Sequence, residues 1–139
     1  MIIDATNLIL GRMATYSAKR ALLGEPIDII NCEKAVITGR KDNLSARYAQ
    51  RVKRGIPLQG PYFPRTPEGI VRRTVRGMLP HKQYKGREAL KRVKCYIGIP
   101  KQFADKKTET LESANIENSG TINYVSIKEI CSLLRGKEN

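Results

Sequence analysis

Within its first 30 residues this chain moves from strand to helix and back to strand, and that spacing limits the fold more than any other stretch. Ile2-Ile3 is a short apolar start suited to a buried strand. From Leu10 to Leu23, the residues Ala14, Ala18, Ala21 and Leu22 recur at i, i+4, i+7 and i+8. That period predicts a helix whose small residues let it lie close to a sheet. Gly24 suits the position just past the helix end, and Pro26 follows it. Ile27-Asp28-Ile29-Ile30 reads as a second buried strand. Strand, helix and strand in about 30 residues make a βαβ unit, which sets the two strands parallel in one sheet. The chain has 139 residues, 40% of them apolar. That is enough for a core of its own and argues against a disordered basic tail. With no repeat, low-complexity tract or linker, residues 1–139 are expected to form a single domain.

Further along, Ala35 to Gly39 fits either a short helix or a strand. A helix is expected from about Asn43 to Lys53, with Leu44, Tyr48 and Val52 on one face and Arg47, Arg51 and Arg54 on another. Residues 55–67 hold Pro57, Pro61, Pro64 and Pro67 with Gly55 and Gly60, so no regular structure fits there. The next helix starts with Thr66 as N-cap, Pro67 at the first position and Glu68 at the positive end of the dipole. It is expected to end at Leu79, before Pro80. Pro80 to Arg87 reads as a basic loop, and a short helix near Arg87–Arg92 leads into a strand from Val93 to Ile97. Residues 99–121 are loop-rich. A strand follows at Ile122–Val125, and then a helix capped by Ser126 with Glu129 three residues on. Ile127, Ile130 and Leu134 form its apolar stripe, and Gly136 ends it.

Charge is confined to one block. Residues 40–94 carry 16 Lys/Arg against 3 Asp/Glu, and both flanks are neutral, so this block holds the whole net charge of +13. A fold does not require that arrangement. A polyanion does, because Lys and Arg that neutralise phosphates release condensed counterions. On the Thr66–Leu79 helix, Ile70, Val71, Thr74, Val75, Met78 and Leu79 fill one half-circle, while Arg72, Arg73 and Arg76 share the other. Arginine suits bidentate phosphate contact and stacking on bases. A merely solvated face would offset its charge with acids at i±4, and only Glu68 is so placed, relative to Arg72. Tyr62, Phe63 and Tyr84 sit among the basic residues and invite base stacking, with packing under the loops as the alternative.

Other functions find little support. No apolar run approaches the roughly 20 residues of a membrane span, and there is no basic amphipathic helix with a bulky apolar face. The opening Met1-Ile2-Ile3-Asp4 has no basic stretch, so no secretory signal is expected. Cys32, Cys95 and Cys131 are far apart, no CxxC occurs, and His81 is the single histidine. They read as reduced cytosolic thiols, with no metal site. Neither GxGxxG nor GxxxxGK[ST] occurs. Asp4 and Asp28 at strand ends are read as turn or capping residues rather than catalytic carboxylates.

Asp4-Ala5-Thr6, then Leu10-Gly11-Arg12-Met13-Ala14, resembles the opening of the large-subunit ribosomal protein L-thirteen family. Ile29 to Gly39 is similar to that family's second block. The most specific match is Arg73-Thr74-Val75-Arg76-Gly77-Met78-Leu79-Pro80-His81-Lys82, backed by Gly86 to Leu90 and Val93 to Gly98. The blocks run in family order to about residue 100, and the Pro80-His81-Lys82 form, the short ends and Ile122 to Ser126 look archaeal. Cys32 stands at a position that is valine- or alanine-like in the family. Residues 99–121 match poorly.

The resemblance implies a three-layer α/β/α fold with a mostly parallel four-stranded sheet. It also implies a non-enzymatic protein of the cytoplasmic large ribosomal subunit. Such a protein binds large-subunit (23S) rRNA early in assembly, beside other ribosomal proteins, with no cofactor, membrane or small-molecule substrate. Phosphate contacts are then expected from Arg72, Arg73, Arg76, His81, Lys82, Lys85, Arg87, Lys91 and Arg92. Arg40, Lys41, Arg47, Arg51, Lys53, Arg54 and Arg65 extend the surface. Two other functions stay open: an RNA-modifying enzyme on a nucleotide-binding α/β sheet, and an mRNA-binding translational regulator outside the ribosome.

Overall fold

The computed structural model describes residues 1–136; Lys137, Glu138 and Asn139, the end of the expected domain, lie outside the described residues. The βαβ unit forms as its spacing requires. Strand β1 (Ile2–Asp4) leads through helix α1 (Leu10–Leu22) to β2 (Ile27–Ile30), and the strands pair in parallel with Ile3 opposite Ile29. Ala14, Ala18 and Ala21 are buried as the period predicts. Leu22 is not: it is the last residue of α1 and is 44% exposed. Gly24 takes a positive φ just past the helix, where a side chain would be strained.

Beyond β2 the chain forms β3 (Val36–Thr38), α2 (Lys41–Lys53), α3 (Pro67–Gly77), α4 (Tyr84–Arg92), β4 (Val93–Cys95), β5 (Tyr124–Ser126) and α5 (Ile127–Gly136). Strand β4 pairs parallel to the other side of β2, so the sheet order is β1-β2-β4. Strand β3 pairs antiparallel with β5 in a separate ribbon. The class is α/β as expected, but the parallel sheet has three strands rather than four. Part of the reason lies in residues 99–121, which have no long strand to offer. They give the edge of β1 a single parallel bridge, with Glu109 N–H donating to Ile2 O at 2.8 Å and Asp4 N–H to Glu109 O at 3.0 Å. That segment otherwise holds three short 3-10 turns joined by loops, with Phe103, Ala114 and Ile116 buried and a second isolated bridge between Leu8 and Asn115.

Burial alternates along the sheet except at the end of β2, where Ile29 and Ile30 are both buried. Ile3, Ile27, Ile29 and Val93 are fully buried, whereas Asp28 is half-buried and its partner Lys94 exposed. Helix α1 packs on α3 and α4, and α2 packs on α5. The α5 stripe of Ile127, Ile130 and Leu134 is buried, and Glu129 N–H donates to Ser126 Oγ at 3.3 Å, the expected cap. Several boundaries shift. Helix α3 stops at Gly77, and Met78, placed on its packing side by the period, is 41% exposed. Thr66 holds the N-cap position with no side-chain cap bond. Strand β4 stops at Cys95 instead of Ile97, and Ile122, expected in β5, is 90% exposed ahead of it.

The topology has a consequence for the charge. The chain leaves the ribbon after β3 and returns to the sheet at β4. The whole basic block, α2 to α4 with the proline-rich loop, is one excursion between those two strands.

Candidate nucleic-acid interface

Each helix of the excursion splits its residues by chemistry. On α2, Leu44 and Tyr48 are buried, while Arg47 and Arg51, one turn apart, are exposed. Arg54 follows the helix and is exposed as well. On α3, Ile70, Val71 and Val75 are buried, and Arg73 and Arg76 are exposed. On α4, Gly86 and Ala89 face inward, and Lys85 and Arg87 outward. Lys41 opens α2, and Arg40, Lys53 and Lys82 lie at helix ends; all four are exposed. Of the sixteen cationic and histidine positions expected in the interface, only Arg65, His81 and Arg92 are less than fully exposed.

The structure also gives several of these groups internal work. Arg92 Nη1 donates to Ala21 O at 3.1 Å, closing the carbonyl end of α1. Arg72 Nη1 donates to Val93 O at 2.9 Å, tying α3 to the start of β4. Its expected partner Glu68 is not in an ion pair with it among the described residues. Lys91 pairs with Glu88 at 3.0 Å on the same helix face. His81 does not anchor its loop through Nδ1, which is buried with no hydrogen-bond partner among the described residues. Sequence periodicity could not find the roles of Arg72 and Arg92, because their acceptors are backbone carbonyls brought in from distant elements.

The basic loop expected at Pro80–Arg87 is shorter than that. Residues from Tyr84 onward are helical, so Lys85 and Arg87 are held on the first turns of α4. The tight turn before them depends on Gly86, where a Cβ would collide with the carbonyl of Pro80. Gly55 plays a similar part after α2: its φ is +86°, and a Cβ there would meet the Gly60 carbonyl. Two backbone bonds between Ile56 and Gly60 close this turn.

The aromatic residues divide. Phe63 is half-buried and meets the Tyr48 ring edge-on, with centroids 5.9 Å apart, and the Arg51 guanidinium lies 5.3 Å from Tyr48 and 5.7 Å from Phe63. Tyr62 is 73% exposed and Tyr84 is 72% exposed. The Tyr62 hydroxyl donates to Pro57 O at 2.6 Å. Between α2, the proline-rich loop and α3 lies a cleft of about 460 Å³, lined among others by Arg51, Arg54, Tyr62, Phe63 and Arg73.

At the carboxyl end of the parallel sheet, where open α/β sheets bind nucleotides, the Asp4 carboxylate is engaged by the chain's own groups. Asp4 Oδ1 accepts from Thr6 N–H at 3.0 Å, Thr6 Oγ1 at 2.7 Å and Asn31 Nδ2 at 3.1 Å. Burial works to raise the Asp4 pKa, but these bonds, with Lys34 nearby, outweigh it and hold the carboxyl below its ordinary value. Asp4 is thus a turn residue. The contact of the Cys95 thiol, then burial, drives the Cys32 thiol far above its ordinary pKa, and burial pushes Cys131 up to about 11. Both stay protonated and unreactive at neutral pH. Among the described residues no three His, Cys, Asp or Glu side chains gather as a metal site, and no helix is long and apolar enough to cross a membrane.

Comparison with known proteins agrees with these features. The model of the family described as Ribosomal protein L13 matches residues 1–102, which span the parallel sheet and the entire basic excursion. Large ribosomal subunit protein uL13 of Methanopyrus kandleri is 46% identical over 131 residues, covering 93% of this chain and 82% of that protein. The uL13 protein of Archaeoglobus fulgidus is 46% identical over 134 residues, covering 96% and 86%. That of Methanosarcina barkeri is 41% identical over 137 residues, covering 98% of each. Relatives of this extent and a family match over most of the chain lead to one conclusion: the chain belongs to the ribosomal protein L13 family.

Proposed function

We propose that this protein is a structural constituent of the large ribosomal subunit. It binds large-subunit rRNA through the β3–β4 excursion and supports the subunit early in assembly. One observation carries the reading: 11 of the 16 Lys and Arg residues of the basic block lie on α2, α3 and α4, nearly all of them exposed, while the inner faces of the same helices build the core. That division of each helix supports a reading in which the exposed cations meet RNA while the core holds the helices. Phosphate contact falls first to Arg73, Arg76, Lys82, Lys85 and Arg87. Arg40, Lys41, Arg47, Arg51, Lys53 and Arg54 extend the surface, and Tyr62 and Tyr84 offer exposed rings. Arg72 and Arg92 spend part of their donor capacity inside the protein and contribute what remains. The weakly charged α5 and the uncharged β3–β5 ribbon are left for neighbouring ribosomal proteins.

Sedimentation of cell lysate tests this. The protein should travel with the large subunit and move to the top of the gradient after RNase. Travel as free protein in untreated lysate would contradict the assignment.

A further inference from the structure

We propose that the cleft between the end of α2, the proline-rich loop and α3 seats a single unpaired RNA base turned out of its helix. The inference rests on the rRNA-binding reading above and adds one specific contact to it. Contact with the backbone of a duplex needs only exposed cations, and α3 and α4 supply those. The cleft has a different chemistry. Its volume of about 460 Å³ lies in the range of clefts that take small-molecule ligands, about 300–1,000 Å³. Aromatic side chains line it, and bases inside an A-form helix cannot reach such surfaces; an unstacked base can.

The site is built before any ligand arrives. Tyr62 is held by its hydroxyl bond to Pro57 O and by the closed Ile56–Gly60 turn, so its exposed ring is a fixed wall. Arg51, parked over the Phe63 ring, joins Arg54 and Arg73 around the cleft, and none of the lining residues is acidic. Three guanidiniums beside a stacking wall suit the phosphates on either side of an extruded nucleotide.

Gly77 supplies the remaining room. It is exposed at the end of α3, lines the cleft, has no positive φ, and a Cβ there would meet nothing within 4 Å. The absence of a side chain leaves this part of the cleft open. A second cleft of about 250 Å³ shares Tyr62 and Arg73 and carries Arg76, which gives the flanking nucleotides a continuous path. That continuity favours a base within a chain over a free nucleotide.

Gly77→Leu tests the seat, because it fills the cleft without straining the backbone. Loss of one base stack on an aromatic should lower affinity for full-length large-subunit rRNA about tenfold. The slope of log K against log salt should stay unchanged, since no cation is removed. Tyr62→Ala should give the same loss and serves if the first variant fails to fold. Ultraviolet crosslinking should join Tyr62 or Phe63 to one unpaired nucleotide. Wild-type affinity in folded Gly77→Leu and Tyr62→Ala proteins, or crosslinks only to paired nucleotides, would overturn the seat while leaving the salt-dependent binding intact. Equilibrium dialysis showing free AMP, GMP, CMP or UMP bound as tightly as the rRNA would also overturn it, in favour of a free nucleotide. Absence of rRNA binding by the wild-type protein would remove the underlying reading and the seat together.

Discussion

Arg87 and Arg92 lie five residues apart on one helix and do opposite work. Arg92 reaches across to Ala21 O, which also accepts from Gly24 N–H at 3.1 Å, and ties α4 to the end of α1, whereas Arg87 is exposed. Charged hydrogen bonds of this kind contribute about 1–2 kcal/mol when partly buried. Arg92→Ala should therefore lower stability by about that much in urea unfolding, and Arg87→Ala should leave it nearly unchanged. In RNA binding the order reverses, with Arg87→Ala reducing the salt slope by about 1. Asp4 sets a second residue-scale expectation. Its folded pKa lies below the unfolded value of about 3.9. The stability it contributes is full above that value and is lost as pH falls through the lower folded pKa. Asp4→Asn should thus flatten the acid limb of the stability curve below about pH 4, measured by denaturant unfolding at a series of pH values.

At the scale of elements, α3 is the clearest unit, with an apolar face of Ile70, Val71 and Val75 and a cationic face of Arg73 and Arg76. Replacing both arginines with alanine should weaken rRNA binding for all sequences and reduce the salt slope by about 2, with α3 still helical by circular dichroism. The turn into α4 is fixed by packing instead of charge. Gly86→Ala pushes a methyl group into the Pro80 carbonyl and should cost about 1–3 kcal/mol, the usual range for overpacking. Helices such as α1, α2, α3 and α5 were legible because their apolar period and end signals are local. The start of α4 was not, since Gly86 reads as a loop residue until Pro80 is seen pressed against it. The fate of Arg72 and Arg92 was hidden for the same reason: their acceptors, Val93 O and Ala21 O, belong to other elements.

For the whole molecule, division of labour follows from topology. The sheet and α1 make a core with few charges, and the excursion between β3 and β4 hangs the cations on helices that this core holds still. The sequence pattern conveyed the charge block and the βαβ start, because both are contiguous in the chain. It did not convey the strand number, which depends on whether residues 99–121 complete the sheet; they reach β1 only at Glu109. Nor did it convey the cleft beneath Tyr62, which needs α2, the loop and α3 to meet. Lysine reactivity measured by mass spectrometry, with and without bound large-subunit rRNA, tests the central claim most directly. Lys41, Lys53, Lys82 and Lys85 should become protected, while Lys106, Lys107 and Lys128 stay as reactive as in the free protein. Protection of the second group with the first left open would contradict the account.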